Sequence, residues 1–211
     1  MTVSVTKNAI NLREELASLR NQGGYSEQQF YFDGLVTNGT FDTDTDWTKG
    51  TGWTIGSGVA TKTAGTQSNL TQTSGLTIGQ KYMITFTITA YTAGNFIPYL
   101  GSTGAGTART AVGTYSEVIT CAGTTDVLLV ANSTAAGSVD NISVFEVDAN
   151  DDVIHRLPKG WKPKGVFEDG LLQREGAAHD YEVVYDGFDY YVKPAVAPSA
   201  TTQTCVIGVK A

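Results

Sequence analysis

The stretch Lys81-Tyr-Met-Ile-Thr-Phe-Thr-Ile-Thr89 indicates the fold class of this 211-residue chain. Large apolar residues occupy every second position and mostly Thr lies between them, which is the period of a β-strand with one buried face. Similar runs cover residues 116–120, 126–131 and 141–147, and glycine-rich turns separate them. Short strands recurring at intervals of about 8–12 residues predict an all-β sandwich.

The composition argues against several classes of function. The chain carries 14 Lys and Arg against 21 Asp and Glu, a net charge of −7, whereas nucleic-acid binding needs clustered positive charge. No apolar run approaches the roughly 18 residues of a membrane-spanning helix, so we expect no membrane insertion. Cys121 and Cys205 lie far apart in the sequence, and we expect them to be buried thiols in a reducing compartment.

Residues 1–24 follow a helical period instead. Apolar residues recur there at spacings of four and three, at Val5, Ala9, Leu12, Leu16 and Leu19. This pattern predicts an N-terminal α-helix that ends at Gly23. A single helix of this length is marginal in water and must pack on something. Either it lies on its own domain, or its apolar stripe anchors the chain in an oligomer or a larger assembly.

Four motifs follow one another in the middle of the chain. They are Leu35-Val-Thr-Asn-Gly-Thr-Phe-Asp42, Gly52-Trp-Thr-Ile-Gly-Ser-Gly-Val-Ala60, Leu76-Thr-Ile-Gly-Gln-Lys-Tyr82 and Val139-Asp-Asn-Ile-Ser-Val144. Their order resembles the jelly-roll domains, related to carbohydrate-binding modules, of bacteriophage virion proteins. The resemblance implies a two-sheet jelly roll over residues 35–148.

The same resemblance implies where ligands bind. Some relatives bind sugars on flat aromatic rings, and the residues that could do so here are Trp47, Tyr91, Phe96, Tyr99 and Tyr115. Others hold a structural calcium ion, which needs oxygen ligands, and the resemblance points to Asn38, Asp42 and Asp140. Sheet packing is the alternative role for each aromatic residue, and a solvated acidic loop is the alternative to the calcium site. We expect Trp53 in the core.

The C-terminal part resembles the compact β modules of phage tail and head fibres. The resemblance rests on Pro158-Lys-Gly160, Val166-Phe167, Asp169-Gly-Leu-Leu-Gln173 and the strand Asp180-Tyr-Glu-Val-Val-Tyr185. In those modules a Phe-x-Phe-x-Gly strand directly precedes the Leu-Pro-x-Gly stretch, and here that strand, Gln29-Phe-Tyr-Phe-Asp-Gly34, comes before the jelly roll. We therefore predict a jelly roll inserted into a small β module formed by residues 25–34 and 149–211.

No catalytic motif is visible in the sequence. GxSxG, P-loop and HExxH patterns are missing, and His155 and His179 stand alone. Glu117 and Glu168 are carboxylates of the kind that a glycosidase pairs, but the sequence does not bring them together. We therefore expect no enzyme activity, and no cofactor apart from the calcium ion.

Together the resemblances imply a structural protein of a phage virion, made in the cytoplasm of the host bacterium. It would be a short fibre or decoration appendage attached through its N-terminal segment to other virion proteins of the capsid, neck or tail. The jelly roll would project outward and contact host surface glycans. The resemblance to phage fibres also implies a homotrimer, in which three copies would share the short apolar seam and so stabilise it. The alternative is a glycan-binding module without a virion role.

Overall fold

The computed structural model describes residues 27–32 (backbone only), 34–169, 171–173, 175–176, 180–199, 202 and 204–210. Within these ranges all regular secondary structure is β-strand, which confirms the prediction of a mostly β protein. No helix long and apolar enough to cross a membrane occurs among them. The predicted N-terminal helix and its apolar stripe lie outside the described residues.

The described part of the chain contains sixteen strands. In chain order they are β1 (Glu27–Phe32), β2 (Thr48–Lys49), β3 (Trp53–Gly56), β4 (Val59–Lys62), β5 (Ser68–Thr73), β6 (Lys81–Ala93), β7 (Phe96–Leu100), β8 (Gly113–Thr120), β9 (Asp126–Ala131), β10 (Ala136–Glu146), β11 (His155–Arg156), β12 (Trp161–Glu168), β13 (Leu171–Leu172), β14 (Tyr181–Tyr185), β15 (Tyr190–Pro194) and β16 (Thr204–Lys210). They form four antiparallel sheets, ordered β3-β4-β10-β6-β8, β2-β5-β9-β7, β1-β16-β12-β13 and β11-β15-β14.

The first two sheets pack on one shared core, and we call them the large unit. In β6 the side chains of Tyr82, Ile84, Phe86 and Ile88 are buried, as their alternation predicts. Phe96 of the opposite sheet meets Trp53 with ring centroids 6.0 Å apart, so both sheets contribute to the same apolar interior. Burying one face of each sheet leaves the other face to solvent or to another part of the chain.

The remaining strands form the small unit, which has its own core. Val166 and Val206 from one sheet pack with Tyr181 and Val192 from the other, and with Leu157. The edge strand β1 pairs with β16 over its whole length, from Glu27 opposite Val209 to Phe32 opposite Thr204. This sheet therefore contains a strand that precedes the large unit in the sequence and strands that follow it.

Candidate ligand-binding face

The outward face of the four-stranded sheet of the large unit carries an apolar patch. Tyr99 of β7 lies opposite Leu128 of β9, and Ile97 lies opposite Val130. All four side chains are partly exposed, while their strand neighbours such as Phe96 and Leu129 are buried in the core. Directly opposed side chains on one sheet face touch each other, so these four residues form one surface, the Tyr99 patch.

Polar side chains border the Tyr99 patch along β5 and β9. Thr71 lies opposite Leu128, Asn69 lies opposite Val130, and Thr73 lies opposite Asp126. Amide, hydroxyl and carboxylate groups thus lie on the same sheet face as the Tyr99 ring. This combination suits a sugar, whose C–H face packs on apolar surface and whose hydroxyl groups need hydrogen-bond partners.

The Tyr99 hydroxyl makes no hydrogen bond within the described residues, unlike those of two other tyrosines predicted as sugar contacts. The Tyr91 hydroxyl donates to Gly94 O at 2.9 Å, and the Tyr115 hydroxyl donates to Ala111 O at 2.9 Å. The Tyr115 ring is also covered by the Arg109 guanidinium, 4.7 Å from the ring centroid. Tyr91 and Tyr115 belong to the five-stranded sheet and pack against the core, so they lie apart from the Tyr99 patch.

Trp47 and Phe96, the other two predicted sugar contacts, are core residues. Trp47 is 6% exposed, packs on Phe41, and its Nε1 donates to Asn38 O at 3.1 Å. Phe96 is fully buried. A ring with no free face cannot stack on a sugar, so their burial removes both from the candidate set.

Ile97, Leu128 and Val130 were not identified from the sequence. The segment Asp126-Val-Leu-Leu-Val-Ala131 has apolar residues at both odd and even positions, so its pattern does not say which residues face outward. Their outward direction follows only from the folded structure, in which the alternate residues Val127, Leu129 and Ala131 are buried in the core.

The predicted calcium ligands lie where the start and the end of the large unit meet. Leu35 N donates to Val144 O at 2.8 Å, and Ile142 N donates to Gly39 O at 2.9 Å. This second contact uses a bulge in β10 between Asp140 and Ser143, where Asn141 has a positive φ of 54°. The loop that carries Asp42 is thereby held against the strand that carries Asp140.

The residues of this loop fit a calcium ion only in part. Burial raises the pKa of Asp140, and the negative charge of Asp42 raises it further against the lowering effect of the Asn141 N–H, so the two carboxylates interact. Asn38, however, folds the acidic loop: its Nδ2 donates to Thr43 O at 2.8 Å and Thr45 O at 3.0 Å. No group of three or more His, Cys, Asp or Glu side chains suited to a metal occurs in the described ranges.

Comparison with known proteins adds no identification. No protein-family model matches this chain, and no curated protein matches it.

Proposed function

We propose that this chain is a non-catalytic structural appendage of a bacteriophage virion. In this proposal a jelly roll over residues 35–148 is inserted into a small β module of residues 25–34 and 149–211. The observation that carries the inserted arrangement is the pairing of β1 with β16, which puts the chain before and after the large unit into one sheet. The virion role rests on the resemblance of both parts of the sequence to phage proteins. An inserted domain needs such a host module, closed on both sides of the insertion.

The strand order of the large unit supports a jelly roll. Strands β2 to β10 divide into two antiparallel sheets, and strands distant in sequence, such as β4 and β10, become neighbours. Jelly rolls are double sheets of about eight strands connected by such crossings. The core shared by both sheets agrees with this architecture.

In the proposed virion role, the N-terminal segment attaches the chain and the large unit is displayed. The stripe of Val5, Ala9, Leu12, Leu16 and Leu19 precedes β1 and would join three copies or dock on another virion protein. The test uses the full chain with Leu12, Leu16 and Leu19 replaced by Ser, compared with wild type by light scattering. We expect a trimer for wild type and a monomer for the variant. A monomeric wild type removes the homotrimer.

The large unit would contact host surface glycans through the Tyr99 patch. We expect the Tyr99→Ala variant to bind purified host cell-surface polysaccharide about tenfold more weakly, which corresponds to about 1.4 kcal/mol. Tyr91→Ala is the matched control, because the Tyr91 ring lies in the other sheet. Equal binding by both variants removes the Tyr99 patch from the proposal, and absence of binding by wild type removes the glycan role.

The virion role itself is tested on purified phage particles. Immunolabelling in electron micrographs should place the chain on the capsid, neck or tail, and mass spectrometry should detect it in the particle. Particles without the chain, together with glycan binding by the isolated protein, would favour a glycan-binding module without a virion role.

A further inference from the structure

The outer face of the five-stranded sheet changes character along its length. Over most of this face hydroxyl groups bond to each other across strands, as in Thr85–Ser116 at 2.7 Å and Thr87–Thr114 at 2.9 Å. At one end the face becomes apolar, with Met83 of β6, Val118 of β8 and Phe145 of β10. An apolar end on a hydroxylated sheet face indicates a contact surface.

The small unit and its connection cover this apolar end. Val147 and Val153 pair as an isolated bridge and pack with Phe145 in one buried cluster. The ring of His155, in β11, meets Phe145 edge-on with centroids 5.8 Å apart. The chain connects the two units twice, and Gly34 lies in the connection that precedes the large unit. A Cβ at Gly34 would lie 3.3 Å from Phe145 Cζ. Both crossings therefore meet at Phe145.

An ionic contact lies beside this apolar cluster, centred on Arg156 of β11. Its Nη1 donates to Asp186 Oδ2 at 2.8 Å within the small unit, and its Nη2 donates to Glu146 Oε1 at 3.4 Å, in β10 of the large unit. The guanidinium also lies 5.4 Å from the centroid of the Tyr191 ring. Arg156 thus connects a hairpin of the small unit to the last strand of the large unit.

The connection between the units, residues 148–152, is a closed turn. Asp148 Oδ1 accepts the N–H groups of Asn150 at 2.8 Å and Asp152 at 3.1 Å, and Asp148 N donates to Asp152 O at 2.9 Å. A segment whose backbone groups are bonded within itself has few alternative conformations. The turn therefore acts as a short rigid link.

Each unit holds this turn with a lysine. Lys81 of the large unit lies 2.7 Å from Asp151, and Lys193 of the small unit lies 2.5 Å from Asp152 and 3.7 Å from Asp148. The carboxylates of the turn are thus divided between the two units. A cleft of about 440 Å³ opens beside these charges, with Lys81, Arg156 and Tyr191 in its wall.

The Phe145 cluster, the 148–152 turn and the ion pairs around them together form what we call the junction. We propose that the junction locks the large and small units into one body and that Arg156 holds it closed. Apolar packing supplies attraction without direction, whereas the ion pairs favour one arrangement of the two units. Two chain crossings keep the surfaces close together, so modest contacts suffice to keep them joined. The inference is independent of the virion role and of glycan binding.

The test is hydrogen–deuterium exchange of the full chain, followed by mass spectrometry. The reporter is residues 146–156, where Ile154 N donates to Glu146 O at 2.9 Å across the junction. In Arg156→Met the side-chain stem still covers Tyr191 but its charge is gone. We expect about fivefold faster exchange in the reporter, the effect of losing contacts of this kind, and no change in β9.

The matched control is Lys49→Met, which removes the same charge from a pair with Asp44 on the large unit, away from the junction. Glu146→Gln breaks the contact from the large-unit side, so it separates opening of the junction from unfolding of the small unit. Faster exchange at 146–156 in both junction variants and not in Lys49→Met supports the lock. Exchange in Arg156→Met equal to that in Lys49→Met, or an unprotected reporter in wild type, overturns it.

Discussion

Replacing Gly39 by Ala should destabilise the large unit where its first and last segments meet. Gly39 is buried, and a Cβ built on it would lie 1.9 Å from Ile142 O and 3.0 Å from Ile142 C. Its φ is not in the left-handed region, so Ala suffers no backbone strain of that kind. The whole effect therefore comes from close approach of two backbones.

The structure also indicates the size of this effect. An ordinary van der Waals contact begins at 3.4 Å, so the two segments must separate by about 1.5 Å, which breaks the 2.9 Å hydrogen bond from Ile142 N to Gly39 O. Overpacking of a well-packed site costs about 1–3 kcal/mol, and the lost hydrogen bond about 1 kcal/mol. The lower entropy of Ala in the unfolded chain returns about 0.5 kcal/mol. We expect a net loss of about 1.5–3.5 kcal/mol.

Urea unfolding followed by tryptophan fluorescence measures this loss, because Trp47 Nε1 donates to Asn38 O next to the substituted position. Gly56→Ala is the matched control. Its Cβ meets nothing within 4 Å, and Gly56 is exposed with an ordinary φ. We expect this control to stay within about 0.5 kcal/mol of wild type. If Gly39→Ala is as stable as Gly56→Ala, the close approach of Gly39 to Ile142 does not limit the fold.

Three further predictions concern buried or interacting charges. His155 is 2% exposed, and burial lowers its pKa from 6.5 to about 4. Between these two pH values the unfolded chain binds more protons than the folded chain, so the free energy of unfolding falls by up to about 3 kcal/mol from pH 6.5 toward pH 4. Urea unfolding at pH 7 and 4.5 should therefore show a smaller loss of stability for His155→Leu than for wild type. We expect calcium at about 100 times its Kd to stabilise the chain by about 2.7 kcal/mol through Asp42 and Asp140. The measurement is the Tm in calcium compared with the Tm in a chelator, and we expect Asp140→Asn to abolish the difference. Equal Tm values for wild type in calcium and in chelator would contradict the site. Lys62 is 1% exposed, burial lowers its pKa, and its ammonium donates to Thr63 O at 2.6 Å with no carboxylate paired to it in the described ranges. Because this buried charge is not compensated, Lys62→Met should unfold at the same urea concentration as wild type or at a higher one. A fall in the free energy of unfolding of more than about 1 kcal/mol would refute this reasoning.

The local period predicted much of the fold but little of the candidate face. In β6 large apolar residues alternate with mostly Thr, so both the strand and its buried side follow from the sequence. In β7 the run Phe96-Ile-Pro-Tyr-Leu100 has apolar residues at both odd and even positions, so the sequence did not distinguish Phe96 from Tyr99 and both were predicted as sugar contacts. The structure buries one and exposes the other, since they lie three positions apart and face opposite sides of the sheet.

The calcium positions show a different limit. The resemblance brought Asn38, Asp42 and Asp140 together as one set, and the contact of Gly39 with Ile142 holds the two carboxylates within electrostatic reach. The sequence did not indicate that Asn38 would use its amide to fold the loop. The orientation of a side chain that can bond to several neighbours depends on which of them the folded loop brings near.

By itself the sequence determined that the chain forms β-strands, and where many of them begin and end, because side-chain alternation and glycine turns are local properties. Only the tertiary structure decided which strands pair, which apolar residues stay at the surface, and how the two units meet at Phe145 and Arg156. The physical reason is that pairing depends on surfaces brought together from distant parts of the chain. The contact of β1 with β16 joins residues from opposite ends of the described chain: the resemblance grouped residues 25–34 with residues 149–211, but no local pattern identified β16 as the partner strand.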